Sequence, residues 1–298
     1  MAEVGDWASA ADRAAIDAAL GTVRDRYVSR LPRPVADAVS YSLSGGGKRI
    51  RGLLLLAAYR AAAGEGDPTA LAAAVEVVHA YSLIHDDLPC MDDEDVRRGR
   101  ATAHVAFGVR AATAAGLAMV PLAVATAADA ARQLRLQEPV VGRIVRELMQ
   151  ASGAGGMIGG QLLDLEGEGR PTTLARLEAV HLAKTGALIA AAARLGGVAA
   201  GAAPTEEAAL DRFGRALGLA FQIADDVLDV TATTDQLGKT AGRDVALQKS
   251  TYPALLGVTG AAQRADVLAS TACDALREVG LLTPSLERLT RFAVERRA

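Results

Sequence analysis

Apolar residues recur at three- and four-residue spacing along nearly the whole of this 298-residue chain, and the rhythm breaks only where glycine and proline gather. The breaks fall at Pro32-Arg33-Pro34, Gly45-Gly46-Gly47, Gly64 to Pro68, Gly167 to Pro171, Gly201 to Pro204 and Leu237 to Gly242. Between them the pattern predicts helices over roughly 9–30, 34–44, 48–64, 69–88, 102–118, 121–136, 138–153, 155–168, 173–199, 205–231, 251–257, 260–280 and 284–297. No strand-like alternation with turn signals at both ends competes with them. Hydrophobic residues make up 51% of the chain but aromatics only 3%, so the core must be built from Ala, Leu and Val. Ala and Leu are strong helix formers, whereas strands favour β-branched and aromatic residues. Connections are short except across 231–250, and no linker divides the chain. The expectation is a single all-α domain over 1–298, with short connections making sequential helices antiparallel.

A formal net charge of −3 gives no reason to expect a nucleic-acid surface. Cys90 and Cys273 are far apart and lack metal-ligand spacing, which fits a reduced, cytoplasmic protein. The first twenty residues carry acids and no basic flank before an apolar run, so no signal peptide is expected. Ala111 to Ala128 is uncharged and about long enough to cross a bilayer. It is mostly alanine, however, and contains Gly116 and Pro121, so we expect a helix buried in a bundle and no membrane span.

Two acidic clusters stand out: Asp86-Asp87 with Asp92-Asp93, and Asp225-Asp226-Val227-Leu228-Asp229. Successive helical residues turn by about 100°. Asp225, Asp229 and Gln222 therefore share a face that continues the small-residue stripe of Gly214 and Gly218, with Asp226 set aside. Thr205 is placed to cap that helix. In the first cluster, His79, Ser82 and Asp86 share a face with Val75. Pro89 disrupts regular helix, so Asp92 must be brought in by a bulge or turn. Acid runs are usually solvated, but two clusters turned toward apolar faces repel strongly unless divalent cations join them. All-oxygen ligation without a calcium-loop pattern points to Mg²⁺ held jointly with a phosphate-rich ligand.

Basic residues lie beside these acids. Gly45-Gly46-Gly47-Lys48-Arg49-Ile50-Arg51 places a glycine turn before a basic helix start, with Lys48 and Arg51 on one face. It is not a nucleotide-binding phosphate loop, because Ser42 and Arg49 stand where Gly and Ser or Thr are needed. Arg97-Arg98 follows the first cluster, and Lys239 and Arg243 follow the second. The repeated arrangement suits diphosphate clamps. The run Gly153 to Gly160 reads as a close helix contact.

The segments GGGKRIRG, EVVHAYSLIHDDLPCMDDEDVRRGRATAH, GGQLLDLEGEG, HLAKTGALI, FQIADDVLDV and LGKTAGRDVALQKSTYPALLG occur in an order that resembles the trans-isoprenyl diphosphate synthases, nearest to the bacterial farnesyl diphosphate synthase group. The resemblance spans about residues 40–260. It implies a large helical bundle of the isoprenoid synthase type around a central cavity, usually a homodimer. It also implies condensation of an allylic diphosphate with isopentenyl diphosphate, triggered by ionisation with three Mg²⁺. Asp86, Asp92, Asp225, Asp226 and Asp229 would be the metal ligands. Arg97, Lys184 and Lys239 would contact the allylic diphosphate. Lys48, Arg51, His79 and Arg98 would hold that of isopentenyl diphosphate. Thr185 and Gln222 would lie near the carbon that becomes cationic. His85, His104 and His181 carry no such implication.

An aromatic five residues before the first Asp, here Tyr81, marks farnesyl-type members, although helical arithmetic puts Tyr81 about 140° from Asp86. Gly52 departs from the pattern, which has Pro there, and is expected to loosen that helix start. A geranylgeranyl diphosphate synthase is the alternative within the family. A terpene cyclase is disfavoured by the intact second motif and GGGKRIRG. A non-catalytic partner subunit is disfavoured by the intact acids. Arg296-Arg297 is a further candidate to fold over the diphosphate.

Overall fold

The computed structural model describes residues 9–231 and 250–295. Within them the chain is a bundle of helices: α1 (Ala10–Tyr27), α2 (Arg33–Leu43), α3 (Ile50–Ala61), α4 (Thr69–Asp86), α5 (Ala103–Phe107), α6 (Val109–Gln133), α7 (Glu138–Ser152), α8 (Met157–Gly167), α9 (Leu174–His181), α10 (Ala187–Ala200), α11 (Pro204–Thr231), α12 (Tyr252–Arg277) and α13 (Pro284–Glu295). Most expected helices are present within a few residues of their expected ends, because Gly and Pro end them for local reasons that sequence makes visible.

Four differences have physical causes. Pro121 does not divide α6, which runs unbroken from 109 to 133. Pro121 and Leu117 are both exposed, so the carbonyl that proline leaves without a helical donor faces water. The break falls earlier, at Gly108, whose φ of 84° separates the short α5 from α6. The expected helix 173–199 is interrupted by a wide π turn at Leu182–Gly186. Finally, two strands do form: β1 (Val96–Arg97) pairs antiparallel with β2 (Arg100–Ala101). Each is two residues long, too short for alternation to be read. Arg98 and Gly99, with φ of 55° and 70°, make the tight turn between them. The division expected near 258 takes the form of Gly257, whose φ of 70° and ψ of 163° kink α12.

The main core joins Leu54, Leu55, Val75, Val77, Ala115, Met119, Leu188 and Phe213, all less than 2% exposed. α4 lies at its centre, with residues 71–78 all buried. Alanine at so many buried positions lets the helices approach closely. α6, and the stretch Leu174–Ala200, are long and apolar enough to cross a membrane; both pack within the bundle. Gly214 and Gly218 lie at such close approaches: a Cβ on Gly214 would lie 2.4 Å from Ala190 Cα. The small-residue stripe does face the core, as its spacing predicts. α11 begins at Pro204, and Glu206 reaches back to the Ala203 amide at 2.7 Å; Thr205 is not its cap.

Candidate active site

The first acidic cluster is assembled at the end of α4. The chain beyond Asp87 folds back so that the Asp92 amide donates to the Asp86 carbonyl at 2.9 Å and Asp93 adopts φ of 50°. Asp92 is thus brought beside Asp86 by a turn, as Pro89 requires. Burial pushes the Asp86 carboxyl up to about 6; Lys184 pulls against this, and Asp92 adds to it. The adjacent Asp87 has a different surrounding. It is buried and accepts from Arg97 Nε at 2.7 Å and Nη2 at 2.5 Å, which pins the hairpin to α4.

The second cluster lies on the last turns of α11. Asp229 is buried and Asp225 half-buried, on the face shared with Gln222. Asp226, which periodicity sets aside, is only 2% exposed. Its Oδ1 accepts from Gln222 Nε2 at 3.0 Å and its Oδ2 from the Tyr252 amide at 3.1 Å, tying α11 to the start of α12. The 100° offset points Asp226 not at solvent but at α12, a neighbour that periodicity does not reveal.

The π turn connects the two clusters. Lys184 Nζ donates to Asp164 Oδ2 at 2.6 Å. Burial draws the ammonium pKa down, but Asp164, Asp86 and Asp92 outweigh it and hold the group firmly charged. On the other side, Thr185 Oγ1 donates to Gln222 Oε1 at 2.7 Å. The turn is wedged between two glycines. A Cβ on Gly160 of α8 would lie 2.2 Å from the Lys184 nitrogen, and one on Gly218 of α11 would lie 2.6 Å from Gly186 Cα. The close contact expected in the Gly153–Gly160 run is therefore real at Gly160, and what it contacts is the π turn. Asp164 and Gln161, whose Nε2 lies 3.4 Å from Asp92 Oδ1, were not singled out by sequence reasoning. Their only signal was membership of the motif GGQLLDLEGEG.

The basic residues gather in a pocket lined by Arg49, Glu76, His79, Arg97 and Arg98. His79 sits among Arg51, Arg98, Arg97 and Arg49, and burial together with these four cations holds its pKa well below the ordinary value. Its Nδ1 is buried with no hydrogen-bond partner among the described residues. Arg98 turns back to the Gly46 carbonyl, joining the hairpin to the glycine loop. Lys48 lies apart from this lining, exposed, with its Nζ 5.2 Å from the Phe292 ring centroid of α13. Lys239, Arg243, Arg296 and Arg297 lie outside the described residues.

Among the described residues no three acidic, His or Cys side chains form a ready-made metal cage. Mg²⁺ is commonly held by one or two carboxylates and completed by substrate oxygens and water. Asp86, held against neighbouring carboxylates in a buried setting, fits a divalent cation.

The sequence profile of the polyprenyl synthetase family matches residues 32–279. The chain belongs to the polyprenyl synthetase family. Farnesyl diphosphate synthase of Escherichia coli (strain K12) is 44% identical over 283 residues, covering 91% of this chain and 93% of that enzyme. Geranylgeranyl pyrophosphate synthase 12 of Arabidopsis thaliana, chloroplastic, is 44% identical over 250 residues, covering 82% and 69%. The geranyltransferase of Helicobacter pylori, solved with magnesium and isoprenyl diphosphate, superimposes with a TM-score of 0.77 at 28% identity, covering 96% of this chain and 97% of that one. This polyprenyl synthetase is a prenyltransferase of all-helical fold.

Proposed function

We propose that this polyprenyl synthetase condenses dimethylallyl or geranyl diphosphate with isopentenyl diphosphate and releases farnesyl diphosphate. The observation that carries this reading is the π turn, which sets Lys184 toward Asp86 and Asp92 and bonds Thr185 to Gln222 beneath the second cluster. Asp86, Asp92, Asp225 and Asp229 would hold Mg²⁺, three ions by family resemblance. Asp226 positions Gln222 and α12. When bound, the metal neutralises the departing diphosphate.

Lys184 and Arg97 bear on the allylic diphosphate, joined by Lys239. The allylic C–O bond breaks with its electron pair on the diphosphate, and the oxygens of Thr185 and Gln222 face the cationic carbon. The alkene of isopentenyl diphosphate, held by Arg51, His79, Arg98 and Lys48, forms the new carbon–carbon bond. A proton is then lost to the released diphosphate. No protein nucleophile is needed.

Tyr81 supports the fifteen-carbon product. It lies about 7.5 Å down α4 from Asp86, is 3% exposed, and donates from its hydroxyl to the Ser152 carbonyl at 3.3 Å. Burial pushes its pKa up to about 12, so it remains a neutral donor. Incubation with Mg²⁺, dimethylallyl diphosphate and isopentenyl diphosphate should yield mainly a fifteen-carbon product by mass spectrometry. Mainly twenty-carbon product would make this a geranylgeranyl diphosphate synthase, and no condensation would overturn the reading. Asp225→Ala should lower turnover roughly a hundredfold at saturating Mg²⁺, and unchanged turnover would remove Asp225 from the metal ligands. The reading includes a cytoplasmic homodimer.

A further inference from the structure

Glu76 is a carboxylate in the core of the bundle, 2% exposed, and no step of the proposed reaction uses it. Burying such a group is costly unless hydrogen bonds and positive charge meet it. Three features meet it here. Its Oε1 accepts from the Gly52 amide at 2.8 Å. Its Oε2 lies 3.8 Å from Arg49 Nη1, itself buried and paired through Nε with Asp17 at 2.8 Å. It also exerts a stabilising charge on Arg98.

The Gly52 contact changes the meaning of that residue. Gly52 is the third residue of α3, so its N–H is one of the donors a helix start leaves without an internal partner. Arg49, at the N-cap, is left-handed with φ of 51° and supplies no side-chain cap. Glu76 supplies the cap from α4 instead, with the sign of charge a helix N-terminus favours. Pro at 52 has no N–H to give. Rather than loosening the helix start, Gly52 bolts it to the neighbouring helix. Glu76 is also one turn before His79 on the same helix face.

We propose that Glu76 is a positioning residue that holds the isopentenyl diphosphate cradle assembled in the free enzyme. It fixes the start of α3, with Arg51, against His79 and offsets the mutual repulsion of Arg49, Arg51, Arg97 and Arg98. This rests on the reading of those cations as the isopentenyl diphosphate site, and the test separates the two ideas.

Steady-state kinetics would be measured on the full chain with geranyl and isopentenyl diphosphates, for Glu76→Gln, Gly52→Pro and Arg98→Ala, alongside thermal unfolding. Glu76→Gln should raise the KM for isopentenyl diphosphate about tenfold, with kcat and the KM for geranyl diphosphate within about twofold of the parent. Gly52→Pro, which removes the N–H that Glu76 accepts from and brings a Cβ to 3.2 Å from Glu76 Cγ, should raise the same KM about threefold and covers the case in which Glu76→Gln does not fold. If Arg98→Ala raises that KM while neither of the other two does, the positioning role is wrong and the site stands. If Arg98→Ala leaves it unchanged, the site itself is misassigned. A joint fall in kcat, both substrate affinities and melting temperature for Glu76→Gln would show a purely structural residue and overturn the proposal.

Discussion

Burial and four guanidinium groups keep the His79 imidazole neutral in the folded chain. In the unfolded chain it would titrate near 6.5, so below that pH the unfolded state binds the extra proton and stability is lost as pH falls. The loss is up to about 1.4 kcal/mol per pH unit. His79→Gln should therefore flatten the decline in melting temperature between about pH 6.5 and 5; an unaltered slope would mean the imidazole is already charged in the fold. His79 and Asp86 share a face that helical arithmetic finds unaided. Asp87 shows the limit of that arithmetic. It lies next to Asp86 and has the same side chain, yet it is spoken for by Arg97, ten residues away, through a hairpin too short to leave a pattern.

Helix-scale geometry concentrates at the π turn, where one extra residue per turn lets Lys184 and Thr185 address different clusters. Both flanking glycines are contact glycines. Gly160→Ala should push the turn off its seat, at a stability cost of about 1–3 kcal/mol and a fall in kcat of up to about a hundredfold. Thermal unfolding and single-turnover kinetics would check both. A mutant with parental kcat would show that the turn tolerates displacement. Gly116 on α6 is a contact glycine of the same kind, set against His85 of α4. A Cβ there would lie 2.1 Å from His85 Nε2, and His85 stands edge-on to Tyr81 with ring centroids 5.7 Å apart. Gly116→Ala should displace His85 and with it Tyr81, raising the share of products longer than fifteen carbons. An unchanged product profile would separate His85 from chain-length control.

At the scale of the molecule, one large core surrounds α4, and a smaller apolar cluster of Leu219, Ile223, Tyr252 and Leu268 joins α11 to α12. Large apolar side chains remain outside both. Leu117 of α6 is 62% exposed, Leu162 of α8 57% and Ile158 51%. Such exposure favours self-association. Sedimentation should give about twice the 30.6 kDa of the chain, and Leu117→Glu should shift the population toward monomer. A parent protein that sediments as a monomer at micromolar concentration would remove the homodimer from the reading.

The sequence by itself determined the helical class, most helix ends, the two acidic clusters and the face shared by Gln222, Asp225 and Asp229. These are local properties, set by 3.6-residue periodicity and by what Gly and Pro forbid. Only the tertiary structure decided that Asp87 is held by Arg97 and Asp226 by the Tyr252 amide. It also placed Lys184 against Asp164, gave Gly52 a partner on another helix, and carried α6 through Pro121 on an exposed face. In all but the last of these the deciding partner lies on a different element, 10 to 26 residues away. Periodicity reports which way a side chain points, and only packing reports what stands there to meet it.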